Sequence, residues 1–174
     1  MGEMSDKRDG AAFVIGPTDG ETYWQPVPAN GHVRNILNQA MTGGAANLSM
    51  GTQTVAPGCF IREHTHAHNE EIIHVLEGRG IARIDGVEHA IQRGSTVYIG
   101  CNRKHHFLNP HREPMTFLWI MTPGGLDQFF AEIGRPRAKS EPAPDPFPRP
   151  ENVAEIERRT VFGWADGSFN QKPS

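Results

Sequence analysis

The stretch Gly58–Gly78, GCFIREHTHAHNEEIIHVLEG, is the most informative part of the sequence, because it combines strand-like alternation with four of the nine histidines. In a β-strand, side chains two positions apart point to the same side, so His64 and His66 are predicted to project into one space. Glu71 opens an apolar, β-branched run, and a carboxylate on a buried face needs a partner. We therefore expect this stretch to form strands that bring metal ligands together.

A further candidate ligand is His105, which follows Glu71 by 34 residues. Three imidazoles and one carboxylate suit Fe(II), Mn(II), Co(II), Ni(II), Cu(II) or Zn(II), and they leave one or two coordination positions open for chemistry. The pair His64-x-His66 is weak by itself, since surface strands also carry such pairs. Glu70 competes with Glu71 as the carboxylate ligand, and the apolar run that follows favours Glu71.

Short strand candidates flank this stretch on both sides. They are Ser49–Ala56, Glu71–Leu76, Ile81–Ile84, Val87–Ile91, Thr96–Ile99 and Met115–Met121. Asp85-Gly86 favours a tight type I′ hairpin turn, because both residues tolerate a positive φ. Two helices are predicted, Leu126–Ile133 and Val153–Arg159, and Asn152 could cap the second. Short strands at near-even spacing predict an all-β sandwich or barrel with short C-terminal helices.

The chain divides into three predicted parts. Residues 1–40 form an N-terminal arm with short strands, 41–135 the barrel core, and 136–174 a Pro-rich linker and C-terminal tail. Proline occupies every second position over much of residues 141–150, EPAPDPFPRP, which predicts an extended linker rather than a packed element. The tail could dock on the barrel or on a second subunit, and we predict a homodimer.

Composition excludes several classes of function. The net charge is −3 and the basic residues are scattered, so no nucleic-acid surface is expected. No stretch approaches the roughly 20 apolar residues of a membrane span. The first ten residues lack the apolar core of a signal peptide, and two cysteines, Cys59 and Cys101, do not make a disulfide framework. We expect a cytoplasmic protein that acts on a small molecule.

Two spaced motifs resemble the signatures of the cupin superfamily. Every fixed position of the first signature is present in Gly58-x5-His64-x-His66-x4-Glu71-x6-Gly78. The second signature is similar to Gly94-x5-Gly100-x-Asn102-x2-His105-x3-Asn109. This second motif has Gly100 in place of the usual proline and Asn102 in place of the usual glycine. Because asparagine accepts a left-handed backbone, the turn can still form.

The resemblance implies a double-stranded β-helix, a jelly-roll barrel that holds one metal ion. The family ligands correspond to His64, His66, Glu71 and His105, and the residue at Asn109 is usually structural. Four shorter stretches are similar to small bacterial cupins of the quercetinase-like dioxygenase type: Thr42-Gly43-Gly44, Pro57-Gly58, Val75-Leu76-Glu77-Gly78, and Pro123-Gly124-Gly125 before Phe129-Phe130. That similarity implies a dioxygenase with Fe(II) favoured and Glu71 as the catalytic proton acceptor. A metal-dependent lyase or isomerase and a non-catalytic binding protein stay open, because fold does not fix function.

Further residues could surround the metal or line the pocket. His68 has the same parity as His66, although a solvated loop histidine is the simpler interpretation. Tyr98 and Phe107 could line the cavity, as could Trp119 and Met121. Ordinary barrel core is an equally good interpretation for each of these. The pattern does not show which face of residues 115–121 points inward.

Overall fold

Antiparallel strands form two sheets over residues 10–138 and 140–163, the part of the chain that the computed structural model describes. The strands are β1 (Glu21–Trp24), β2 (His32–Leu37), β3 (Ser49–Val55), β4 (Phe60–His64), β5 (Glu70–Glu77), β6 (Arg79–Ile84), β7 (Val87–Gln92), β8 (Thr96–Ile99), β9 (His105–Leu108), β10 (Met115–Thr122) and β11 (Arg135–Pro136). The helices are α1 (Leu126–Ile133) and α2 (Val153–Arg159), and a 3-10 turn covers Ala40–Thr42.

The larger sheet has seven strands in the order β11-β1-β2-β3-β10-β5-β8, and the smaller has four in the order β4-β9-β6-β7. Neighbouring strands often lie far apart in sequence, as in the pairing of β10 with both β3 and β5. This topology with two short helices after the barrel confirms the predicted all-β jelly roll.

Strand β10 passes through the middle of the larger sheet, and its burial pattern shows which face of residues 115–121 points into the barrel. Met115, Phe117, Trp119 and Met121 are fully buried, whereas the residues between them are half-buried. Because side chains alternate along a strand, these four fill the barrel interior. Gly51 on β3 lies opposite Trp119, and a Cβ there would be 2.4 Å from the indole ring.

Two turns have the backbone that the sequence predicts. Asp85 and Gly86 both have positive φ, 46° and 84°, and they join β6 to β7. Asn102 also has a left-handed backbone, with φ of 60°, in the turn before β9. The backbone N–H of Asn102 donates a hydrogen bond to the backbone carbonyl of His66, so this turn supports the loop that follows β4.

The segments outside the predicted core pack closely against it. Strands β1 and β2 of the predicted N-terminal arm belong to the larger sheet, and β11 pairs with β1. Residues 141–150 contain no helix or strand and are mostly exposed, as predicted for a linker, but Phe147 is buried and the guanidinium of Arg135 lies over its ring at 4.0 Å. Asn152 precedes α2 but makes no capping hydrogen bond with its side chain.

The described part of the tail docks on the barrel through α2 and the residues after it. Ile156 and Phe162 are buried in the same core as α1. Glu157 is also buried and contacts the guanidinium groups of Arg62 and Arg149. Residues 164–174 of the predicted tail lie outside the described residues. No helix in the described ranges is long and apolar enough to span a membrane.

Candidate metal centre

Four buried side chains meet between the two sheets, and they are the four predicted ligands His64, His66, Glu71 and His105. One potential ligand atom from each lies within 4.8 Å of the others. His64 ends β4 and is paired with His105 at the start of β9, while Glu71 comes from β5 of the other sheet. His66 lies beyond the end of β4, so its position comes from the loop and not from the strand alternation that predicted it.

Backbone carbonyl groups fix the orientation of all three imidazoles. Nδ1 of His64 lies 2.9 Å from the carbonyl oxygen of Arg62, and Nδ1 of His105 lies 2.9 Å from that of Arg103. Nδ1 of His66 lies 2.6 Å from the carbonyl oxygen of Val161. Because a carbonyl oxygen only accepts, each neutral ring carries its proton on Nδ1. The lone pair on Nε2 is therefore available to a metal ion.

Two buried imidazole nitrogens of the site have the environment expected of atoms that bind a cation. Within the described residues, Nε2 of His66 and Nε2 of His105 have no hydrogen-bond partner, although both atoms are buried. They lie 3.6 and 3.3 Å from Oε2 of Glu71. Buried polar atoms without partners are costly, and a shared metal ion would satisfy all of them. These residues fit a divalent transition metal.

The ionisation of the site also favours metal binding. Burial lowers the pKa of His64 well below its ordinary value, and the nearby His105 and His66 lower it further, so the ring is neutral. Burial raises the pKa of Glu71, but the imidazoles of His105 and His66 outweigh that effect and lower it to about 2. Neutral imidazoles and an ionised carboxylate are the forms that bind metals.

Glu71, rather than Glu70, is the carboxylate of this group. Glu71 is buried and pairs in register with Met121 of β10, whose side chain points into the barrel. Glu70 is exposed on the opposite face of β5. The alternation along the strand therefore resolves the choice that the sequence left open.

Aromatic side chains close the space beside the ligands. The cavity there has a volume of only about 10 Å³, about enough for one water molecule. Phe107, Phe117 and Phe130 form part of its wall. Phe162 completes the wall, with its ring 3.9 Å from the His64 ring and 11° from parallel. On its other face it stacks on Phe129 at 4.3 Å and 5°.

Val161 and Phe162 also contribute to the site, although neither residue is predicted from the sequence. They follow a Pro-rich segment and lie 95 residues or more from the histidines that they contact. No local motif indicates this contact. An apolar Val-Phe pair in an otherwise polar tail was the available signal.

The other predicted pocket residues lie in different places. Phe107 lines the cavity, whereas Trp119 and Met121 are buried in the barrel core and are not among the residues around it. His68 is exposed and borders an open groove beside Gly125 and Arg158. The prediction for Tyr98 is wrong: its side chain is 62% exposed, because alternation along β8 points it away from the interior.

Comparisons with known proteins agree with the fold. Residues 51–121 match the family model described as "Cupin domain". Tetracenomycin polyketide synthase protein TcmJ of Streptomyces glaucescens is 24% identical over 123 residues, which cover 71% of this chain and 78% of that protein.

Solved structures also have the same architecture. A predicted oxalate decarboxylase from Thermotoga maritima has a TM-score of 0.56 at 17% identity, covering 63% of this chain and 97% of that one. The polyketide cyclase RemF from Streptomyces resistomycificus has a TM-score of 0.55 at 20% identity, covering 64% of this chain and 79% of that one. The family match over residues 51–121 and the shared architecture of these solved structures agree with the resemblance to the cupins that the two motifs carry.

Proposed function

We propose that this protein is a metal-dependent enzyme acting on a small aromatic or enolisable molecule, with dioxygenation as the reaction. The observation that carries the proposal is the buried group of three oriented imidazoles and one carboxylate, which lies inside an aromatic wall. Four such ligands leave one or two coordination positions of a metal open, as a catalytic metal requires, whereas a structural metal site is closed.

In this proposal His64, His66, Glu71 and His105 hold one divalent ion, for which Fe(II) is the first candidate. When bound, the metal would supply a Lewis acid and, if it is redox-active, electron exchange with oxygen. Glu71 keeps its charge at neutral pH because its pKa is about 2. A carboxylate with so low a pKa is a weak base, so one of its oxygens can receive the proton of an enol or phenol hydroxyl only where a bound cation raises the acidity of that hydroxyl.

The aromatic wall has two roles in the reaction. It leaves room for only about one water molecule beside the carboxylate, which strengthens the electrostatic interaction of Glu71 with any group that develops charge nearby. It also offers ring faces to a planar substrate. The aromatic residues of this wall are Phe107, Phe117, Phe130 and Phe162.

A second candidate is non-oxidative chemistry, in which the same four ligands polarise a carbonyl oxygen without consuming O2. This candidate is supported by the names of TcmJ, a polyketide synthase protein, and of RemF, a polyketide cyclase. Polyketide-type substrates are rich in enolisable carbonyl groups, so both candidates share a substrate class and differ in the use of oxygen.

One experiment separates the two candidates. The metal content of the purified protein is measured, and the protein is then loaded in turn with Fe(II), Mn(II), Co(II), Ni(II), Cu(II) and Zn(II). Flavonols, diketones and catechols are offered in an oxygen electrode and, in parallel, under anaerobic conditions with mass spectrometry. Oxygen uptake above background supports the dioxygenase, and anaerobic conversion supports the second candidate. Failure to bind any of the metals overturns both.

Matched variants test whether the four ligands carry the activity. His66→Ala removes a ligand, whereas His68→Ala changes an exposed histidine two residues away. We expect activity and metal content to fall together in the first variant and to stay unchanged in the second. Equal losses in both variants would contradict the ligand assignment.

A further inference from the structure

We propose that the ring of Phe162 occupies the slot in which the ring of a planar, oxygen-bearing substrate binds, and that a neighbouring cavity bordered by Gln25 receives the rest of the substrate. This inference rests on the proposed function, because it names the substrate site of the same metal centre. It follows from the size of the closed cavity, the stacking of Phe162 and an unpaired amide group.

The closed cavity is too small for an organic substrate. Its volume of about 10 Å³ corresponds to about one water molecule. A substrate therefore reaches the ligands only if a wall residue moves away. Ile61, Phe107 and Phe117 belong to strands that pair with neighbouring strands, so their backbone cannot shift without breaking hydrogen bonds of a sheet.

Phe162 is the wall residue that is held least firmly by the backbone. It lies after the end of α2 rather than in a strand or helix. Within the described residues, its neighbours make two hydrogen bonds to the barrel: Nδ1 of His66 donates to the carbonyl of Val161, and the backbone amide of Gly163 donates to the carbonyl of Thr65. Displacement of this short segment opens the cavity without disturbing a sheet.

The space that Phe162 fills has the shape of a flat ring. Phe129 covers one face at 4.3 Å and 5°, and the metal ligand His64 covers the other at 3.9 Å and 11°. The guanidinium of Arg62 lies 4.8 Å from the ring centroid. A planar substrate ring in this slot would keep both stacking contacts and the cation–π contact. It would also lie directly beside the ligand set.

A second cavity begins on the other side of Phe162. It has a volume of about 40 Å³ and shares four wall residues with the first, namely Gln53, Ile61, Phe130 and Phe162. Moving the Phe162 ring therefore joins the two cavities. Neither space is large enough alone, but the joined space includes the volume that the phenyl ring vacates.

Gln25 gives this second cavity a specific polar requirement. Its side chain borders the cavity and is only 3% exposed. Within residues 10–138 and 140–163, its Nε2 has no hydrogen-bond partner. A buried amide donor without an acceptor is costly, and a carbonyl or hydroxyl oxygen of a ligand would remove that cost. The predicted ligand class is therefore a fused or extended aromatic system that carries an oxygen acceptor.

The test compares 1-naphthol with naphthalene, which has the same rings without the oxygen. Binding to the metal-free protein is followed by ligand fluorescence, so that it does not depend on the metal. Phe162→Ala is expected to bind 1-naphthol about tenfold or more tightly than wild type, because the competing ring is gone. Adding Gln25→Leu is expected to weaken 1-naphthol binding by about fivefold and to leave naphthalene binding unchanged.

Control variants distinguish binding at this site from binding in any cavity that a large-to-small substitution creates in the core. Ile91→Ala creates space in the core at a residue that borders neither cavity, and it should bind 1-naphthol no better than wild type. Phe162→Leu is the variant to use if Phe162→Ala does not fold, and it should show a smaller gain in affinity. Amide exchange of Gly163 should accelerate when wild type binds 1-naphthol, because its hydrogen bond to Thr65 is released.

The proposal is overturned if Phe162→Ala, or Phe162→Leu in its place, binds no better than wild type. It is also overturned if Gln25→Leu weakens both ligands equally, or if Ile91→Ala binds as well. Failure of the protein to take up metal would overturn the proposed function but not this site, since the binding assay uses metal-free protein. The two proposals can therefore fail separately.

Discussion

Metal binding should raise the thermal stability of this protein by an amount that depends on His66. In the free protein, two imidazole nitrogens of the ligand group, Nε2 of His66 and Nε2 of His105, are buried and have no hydrogen-bond partner within the described residues. A metal ion binds the folded arrangement and not the unfolded chain, so it stabilises by RT ln(1 + [M]/Kd). At a metal concentration 100 times Kd this amounts to about 2.7 kcal/mol. For a chain of this length we expect an increase in Tm of roughly 5–11 °C.

His66→Ala should remove most of that increase. Loss of a residue that merely orients a ligand weakens metal affinity by about 10–100-fold, so loss of a ligand weakens it by about 100-fold or more. At the same metal concentration the stabilisation then falls to about 0.4 kcal/mol, which corresponds to roughly 1–2 °C. His68→Ala should keep the full increase, because His68 is exposed and outside the ligand group.

The measurement is a thermal scan of chelator-treated protein, repeated after addition of each divalent metal, with element analysis of the same samples. A wild-type Tm that does not respond to any of the metals would refute the reasoning about unsatisfied nitrogens. Equal increases in His66→Ala and wild type would refute the ligand assignment even if metal binds.

Other predictions concern stability and assembly. Asn109→Ala should lower the free energy of unfolding by about 2–4 kcal/mol in a denaturant titration, because the buried amide donates to three backbone carbonyls. Glu157→Gln should cost about 3–5 kcal/mol, since it breaks a buried contact with two guanidinium groups, whereas exposed Glu155→Gln should cost little. Burial lowers the pKa of His32, and the nearby guanidinium of Arg137 lowers it further, so the folded state favours the neutral ring. The free energy of unfolding should therefore fall as pH drops below about 6.5, the ordinary pKa of histidine, and His32→Gln should reduce that loss. The homodimer stays a prediction, and light scattering at the monomer mass of 19.3 kDa would contradict it.

The parts of the fold that depend on local pattern could be predicted from the sequence. Both helices have the predicted bounds, and the predicted strands appear within two residues of their ends. Hydrophobic alternation predicted that Glu71 lies on the buried face of its strand. It also divided Met115–Met121 into two faces, without showing which one points into the barrel. Asp85-Gly86 formed the expected hairpin, because positive φ is a local property of those residues.

The parts that depend on distant contacts could not be predicted. Whether Phe117 or Leu118 faces inward depends on which side of β10 the smaller sheet covers. Tyr98 satisfies the same local pattern as an interior aromatic residue, but its strand turns that face to solvent. The contact of Phe162 with His64 links residues almost 100 positions apart, and no periodicity encodes it.

The hydrogen bond between His66 and the carbonyl of Val161 makes the end of the described chain part of the metal-binding equilibrium. If docking of residues 161–163 strengthens metal binding by some factor, metal binding must strengthen docking by the same factor. Metal affinity and the position of the segment are then two measurements of one coupling free energy. A molecule that displaces Phe162 without contacting the metal should therefore bind the metal-loaded protein more weakly than the metal-free protein, by that same factor.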